Sequence, residues 1–112
     1  MTIKTFPNEP QVQFVRYTPD FSIICSIGQA PFHGTLDILY WPSATLLEFE
    51  SFEGWLRSLA NERMTIEAFC RLVFDALHEA LGDTRLSVTV CARTIVHAPV
   101  WARIRTYEER TE

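Results

Sequence analysis

Residues 65–82 read TIEAFCRLVFDALHEALG. Phe69, Leu72, Val73, Ala76, Leu77 and Ala80 recur at three- and four-residue intervals, which lines one side of an α-helix with apolar groups. Thr65 offers a side-chain oxygen to the open N–H groups of the first turn, and Gly82 supplies the stop. Directly afterwards Leu86, Val88, Val90 and Ala92 alternate with Ser87, Thr89, Cys91 and Arg93. That period of two predicts a strand with one buried face. An amphipathic helix followed by a half-buried strand predicts helices packed on a sheet.

The rest of the chain extends this pattern in both directions. Phe52, Leu56 and Leu59 predict a first helix over roughly 50–60; Gly54 inside it costs about 1 kcal/mol relative to Ala, so a short or late-starting helix is expected. Residues 33–41 predict a strand with Leu36, Ile38 and Tyr40 on one face and Thr35, Asp37 and Leu39 on the other, ended by Pro42. Residues 10–18 are β-prone, and the alternation changes parity between Phe14 and Val15, as a bulge would require. Residues 19–32, with Pro19, Gly28 and Pro31, read as a long loop of the kind that often carries function. A last strand is expected from about Ile95 to Tyr107, with Pro99 at an edge or bulge. The expected organisation is a flexible N-terminal arm over 1–9, a single domain over 10–107 and an acidic C-terminal tail over 108–112. The order is strand, strand, helix, helix, strand, strand: an α+β fold with a four-stranded antiparallel sheet and two helices on one face. Four strands leave two open edges, which closure into an oligomeric barrel would remove.

Composition excludes several classes. The 112 residues carry 14 acidic and 10 basic side chains, a net charge of −4, and are 47% hydrophobic. That is one domain with enough apolar material for a core, not a disordered chain. No apolar run reaches the ~18 residues of a membrane span. Lys4 is the only lysine, and the acidic balance argues against nonspecific binding to a phosphate backbone. Met1–Lys4 has no charge followed by an apolar stretch, so a secretory signal is not expected. Three widely spaced cysteines suggest neither a disulfide framework nor a metal site, and predict a reducing, cytoplasmic setting.

Cys25 is the candidate nucleophile. It lies in FSIICSIGQ (residues 21–29), ahead of a Gly-containing turn where a thiol can be reached by a ligand. The competing reading is a small apolar residue packed with Ile23 and Ile24. Cys70 reads as packed on the second helix and Cys91 as inert on a strand. His78 suits the C-terminal turn of its helix. His97 receives no role. Trp41, Trp55 and Trp101 read as packing or interface residues, and Arg103 and Arg105 as partners for Glu108 and Glu109 rather than a tRNA contact.

The run Pro19-Asp20-Phe21-Ser22-Ile23-Ile24-Cys25, then Gly28-Gln29, then Gly34 to Pro42, then Leu47-Glu48-Phe49-Glu50-Ser51, resembles the QueF family, the nitrile oxidoreductases of queuosine biosynthesis. The spacing matches from about Tyr17 to Leu59 and more loosely to about Val90. The resemblance implies the tunnelling fold, whose subunits have the order read above and assemble into homo-oligomeric barrels with sites between subunits. It also implies that Cys25 attacks the nitrile carbon of 7-cyano-7-deazaguanine to give a thioimide. It places Glu48, flanked by Leu47 and Phe49, and Glu67, preceded by Ile66, as the substrate-binding residues; a carboxylate accepts paired hydrogen bonds from a guanine-like edge.

The sequence departs from the family at defined points. Glu50 and Glu53 stand where the family has the two lysines that hold NADPH phosphates, a reversal of charge. Residues 94–99 lack its Arg-Gly-Gly segment. Its proton-donating Asp is Phe32, and the His of its His-Glu pair is Ile66. Nitrile addition leaves negative charge on nitrogen, so an acid is needed; His33 and Asp37 are the candidate substitutes. NADPH is therefore disfavoured as cofactor. Reduction to the aminomethyl form and ammonia addition to an amidine, as in a branch acting on tRNA, both stay open for this QueF-like enzyme. A non-catalytic purine-binding protein and an interaction domain that reuses the fold are the alternatives.

Overall fold

The computed structural model describes residues 2–94 and 97–108. The elements are β1 (Thr5–Pro7), β2 (Val15–Tyr17), β3 (Asp20–Ile24), β4 (Pro31–Trp41), β5 (Thr45–Leu47), α1 (Phe49–Ser58), α2 (Ile66–Leu81), β6 (Arg85–Arg93) and β7 (Val100–Arg105). The main sheet is antiparallel, in the order β2-β4-β6-β7, with β3 also paired to β4. Val15 pairs with Tyr40 and Asp20 with Thr35, so β2 and β3 hold one register and form a single edge strand interrupted at Thr18-Pro19. No bulge separates them. The Pro19 carbonyl still accepts a hydrogen bond from the Leu36 N–H at 2.9 Å. Pro19 and Leu36 face each other as a bonded pair, so the missing proline N–H lies on the β4 side, and the ladder keeps one of that pair's two bonds where the edge strand is interrupted.

Several expectations are corrected here. Residues 20–24 are strand, and the loop shrinks to 25–30. Residues 11–14 are not strand: Gln11 has a φ of 59°, and the Asn8 side chain closes the turn through the Val12 N–H and carbonyl. Residues 5–7, expected within an arm, form β1, which pairs with β5. Helix α1 begins at Phe49 and runs through a buried Gly54, so it does not start late. The last strand is shorter than expected, 100–105; Ile95 and Val96, and residues 109–112 of the expected tail, lie outside the described residues.

Both helices pack on one face of the sheet. Leu36, Ile38 and Tyr40 of β4 and Leu86, Val88, Val90 and Ala92 of β6 share a core with Phe69, Cys70, Val73, Phe74 and Leu77 of α2. Each large apolar side chain removed from water contributes about 1.5–3 kcal/mol. The buried stripe of α2 sits slightly round from the expected one: Ile66, Cys70, Phe74 and Leu81 are buried, whereas Leu72 is 38% exposed. Thr65 Oγ1 accepts from the Ala68 N–H at 3.1 Å, and Gly82, at φ 78°, ends the helix with its N–H on the His78 carbonyl. The opposite sheet face carries Arg16, Asp37, Thr89, Cys91, Trp101 and Arg103. There Arg103 donates to Thr89 Oγ1 at 3.0 Å, and Trp101 is 68% exposed.

Candidate functional site

The site is built where β3 ends. The Ile24 N–H donates to the Glu62 carbonyl and the Met64 N–H donates to the Ile24 carbonyl, both at 3.0 Å. This short parallel bridge ties the link between the helices to the edge strand. Cys25 follows Ile24 directly, and Thr65, Ile66 and Glu67 follow Met64. The bridge therefore sets the first turn of α2 beside Cys25. The loop 25–30 is closed by the Cys25 N–H on the Ala30 carbonyl (2.8 Å) and the Gln29 N–H on the Cys25 carbonyl (3.0 Å). Gln29 adopts a φ of 57°, and the Arg63 guanidinium donates to its side-chain carbonyl. The Gly28 N–H points at Cys25 Sγ, 3.5 Å away.

Cys25 is half-buried and opens into a cavity of about 160 Å³ that it shares with Phe32, Ile66, Glu67, His97 and Val100. That volume is below the ~300–1,000 Å³ of sites for drug-sized ligands. Glu67 is exposed in the first turn of α2, Ile66 is buried beneath it, and Phe32 is buried with its ring 5.5 Å from that of His97. The structure thus brings together Cys25, Ile66 and Glu67.

The remaining candidates lie elsewhere in the protomer. Side chains alternate along a strand. Phe32 faces the helices and the cavity, so His33 and Asp37 project from the opposite face. His33 lines a separate cavity with Asp20, Cys91 and Arg93, and Asp37 forms an ion pair with Arg16 at 3.1 Å. Glu48 is the N-cap residue of α1, with its N–H on the Lys4 carbonyl at 3.0 Å and no capping bond from its side chain. It follows Leu47, which is fully buried and whose N–H donates to the Tyr40 hydroxyl at 3.0 Å. Tyr40 is at the far end of β4 from Cys25, and nine residues of strand span on the order of 30 Å. Phe49 is 43% exposed, its ring 4.4 Å from that of Tyr17.

The thiols of Cys70 and Cys91 are both shifted upward. Burial pushes the Cys70 thiol up, and it contacts the Val88 and Ala102 carbonyls at 3.7 and 3.6 Å. Burial, then the Asp37 carboxylate, push the Cys91 thiol up. Among the described residues no group of His, Cys, Asp and Glu gathers as a metal site, and no helix is long and apolar enough to cross a membrane. His97 is the residue that the sequence reading missed. Its place is set by the turn between β6 and β7, for which no local pattern stands in the sequence.

Two helices on one face of an antiparallel sheet, with a thiol and a carboxylate in one small cavity, define the class: a two-layer α+β protein with a cysteine-bearing pocket. No family profile matches the chain. It is 31% identical over 90 residues to the NADPH-dependent 7-cyano-7-deazaguanine reductase of Frankia casuarinae, covering 80% of this chain and 72% of that protein. It is 28% identical over 83 residues to the enzyme of the same name from Aquifex aeolicus, covering 73% of this chain and 64% of that one, just under two thirds of its length. The fold matches the crystal structure of the apo archaeosine synthase QueF-Like with a TM-score of 0.76 and 17% identity, over 83% of this chain and 92% of that one. The chain belongs to the QueF family.

The names of both relatives carry NADPH. Where the family lysines would stand, Glu50 is exposed on the first turn of α1. Glu53 accepts a 2.7 Å hydrogen bond from the Tyr17 hydroxyl. Burial, then that bond, push the Tyr17 hydroxyl up. Two carboxylates at this place repel a phosphate. The residues present do not fit the phosphates of NADPH.

Proposed function

We propose that the chain acts on a 7-deazaguanine nitrile through a covalent thioimide at Cys25. The observation that carries this reading is the shared cavity of Cys25 and Glu67 in a member of this family. Glu67 accepts the N–H groups of the purine edge, which points the nitrile at Cys25. The sulfur adds to the nitrile carbon, one π bond of the nitrile breaks, and its electron pair takes up a proton at nitrogen. Glu48 belongs to the same purine site only if a second protomer supplies it, so the working unit is a homo-oligomer with sites between subunits.

The exit from the thioimide that needs no reductant is ammonia addition. Ammonia attacks the thioimide carbon, the carbon–sulfur bond breaks, and the products are an amidine and the free thiol. The carboxylates of Glu50 and Glu53 favour this exit over hydride transfer. Intact-mass spectrometry after incubation with 7-cyano-7-deazaguanine tests the reading. A one-to-one adduct is expected in the native protein and not in Cys25→Ala, and ammonium ion should discharge it to the amidine. Reversible binding without an adduct would instead assign the chain as a purine-binding protein, and consumption of NADPH would refute the reading of Glu50 and Glu53.

A further inference from the structure

With Phe32 in place of the family acid, and with His33 and Asp37 on the far face of the sheet, the cavity still needs a group that can give a proton to the nitrile nitrogen. We propose that His97, from the turn between β6 and β7, is that group; this rests on the reading of Cys25 given above. His97 lines the same cavity as Cys25 and Glu67. Its Nδ1 lies 2.7 Å from the Ala98 carbonyl oxygen. A carbonyl oxygen only accepts, so Nδ1 carries the proton and donates it. The other ring nitrogen, Nε2, is left with its lone pair when the ring is neutral. The Phe32 ring, buried and tilted by 55° at 5.5 Å, fixes the plane of the imidazole. Phe32 thus changes from a lost acid into the support of its replacement.

The proton balance closes within these two side chains. Nε2 takes the proton of the Cys25 thiol. The thiolate forms the sulfur–carbon bond, one π bond of the nitrile breaks, and the resulting nitrogen anion receives the same proton back from Nε2–H. The thiol hydrogen ends on the imine nitrogen, nothing is oxidised or reduced, and no co-reactant is required. Glu67 stays with the purine edge, so holding the base and moving the proton are divided between two residues of one cavity.

His97→Asn tests this, because the shorter amide can keep a donor for the Ala98 carbonyl but has no second titratable nitrogen. The measurements are the rate of adduct formation at saturating nitrile and the nitrile concentration giving half that rate. General acid–base catalysis typically contributes 10²–10⁴-fold. The saturating rate should therefore fall by at least about 10²-fold, with the half-saturating concentration and the melting temperature unchanged. His97 is exposed on a turn, so loss of folding is not expected. An unchanged saturating rate overturns the proposal. So does a loss confined to the half-saturating concentration, which would make His97 a positioning residue. Absence of any adduct in the native protein would instead sink the thioimide reading itself, and this role with it.

Discussion

The three thiols occupy three environments, and the contrast explains which one is available for chemistry. Cys70 is sealed against β6 and β7, Cys91 lines the outer-face cavity with Asp20, His33 and Arg93, and Cys25 opens into the helix-side cavity that holds Glu67. Alkylation with iodoacetamide at neutral pH should modify Cys25 faster than Cys91, because burial, then the Asp37 carboxylate, push the Cys91 thiol up and the thiolate is the reactive form; equal rates would contradict these environments. Tyr17 and Glu53 give a second residue-scale test. The Tyr17 hydroxyl is held above its ordinary value near 10. Between that value and the raised one, the unfolded chain has lost a proton that the folded chain retains. Stability is therefore intact below about pH 10 and falls as pH rises above it. Denaturant midpoints between pH 9 and 11 should show a steeper alkaline decline in the native protein than in Tyr17→Phe. Tyr40, also raised by burial and common to both proteins, leaves a residual slope in the variant.

At the scale of elements, the most legible part of the fold was what local chemistry dictates. Thr65 and Gly82 bound α2 as expected, because a cap and a stop act within one turn of backbone. Val88 to Arg93 alternate as expected because one side of β6 is covered, whereas Ser87, expected on the polar face, is buried. What escaped was decided at a distance. The run 20–24 reads as loop from Pro19, yet forms β3, because pairing with β4 and the bridge to Met64 outweigh one missing donor. Cys25 and Glu67 were singled out through the resemblance to the family, and they line one cavity. Their juxtaposition depends on that bridge, and the part of His97 on a turn that no pattern marks. Gly34 shows the same dependence on long-range packing. A Cβ there would collide with the Cys91 carbonyl of the neighbouring strand. Gly34→Ala is expected to cost about 1–3 kcal/mol, the range for overpacking, against about 1 kcal/mol for removing the cap in Thr65→Ala. Urea denaturation orders the two; a neutral Gly34→Ala would show that β4 and β6 have room to part.

The molecule as a whole is a slab of 44 × 41 × 17 Å, one layer of sheet and one of helix. Among the described residues its sheet has edges at β2 with β3 and at β7, and no element covers its outer face. The length of β4 separates Glu48 from Cys25, since each lies at one end of that strand. If a site joins Cys25 of one protomer to Glu48 of another, Cys25→Ala and Glu48→Ala oligomers are each inactive. Unfolding, mixing and refolding them in equal amounts should then restore on the order of a quarter of native activity, because random assembly unites the two intact halves at that frequency. No recovery would place both functions in one chain. The most direct measurement for the account as a whole is peptide mapping by tandem mass spectrometry of protein treated with 7-cyano-7-deazaguanine. The account predicts a single modified position, Cys25, with Cys70 and Cys91 untouched. Modification at Cys91 in place of Cys25, or no modification at any thiol, would contradict it.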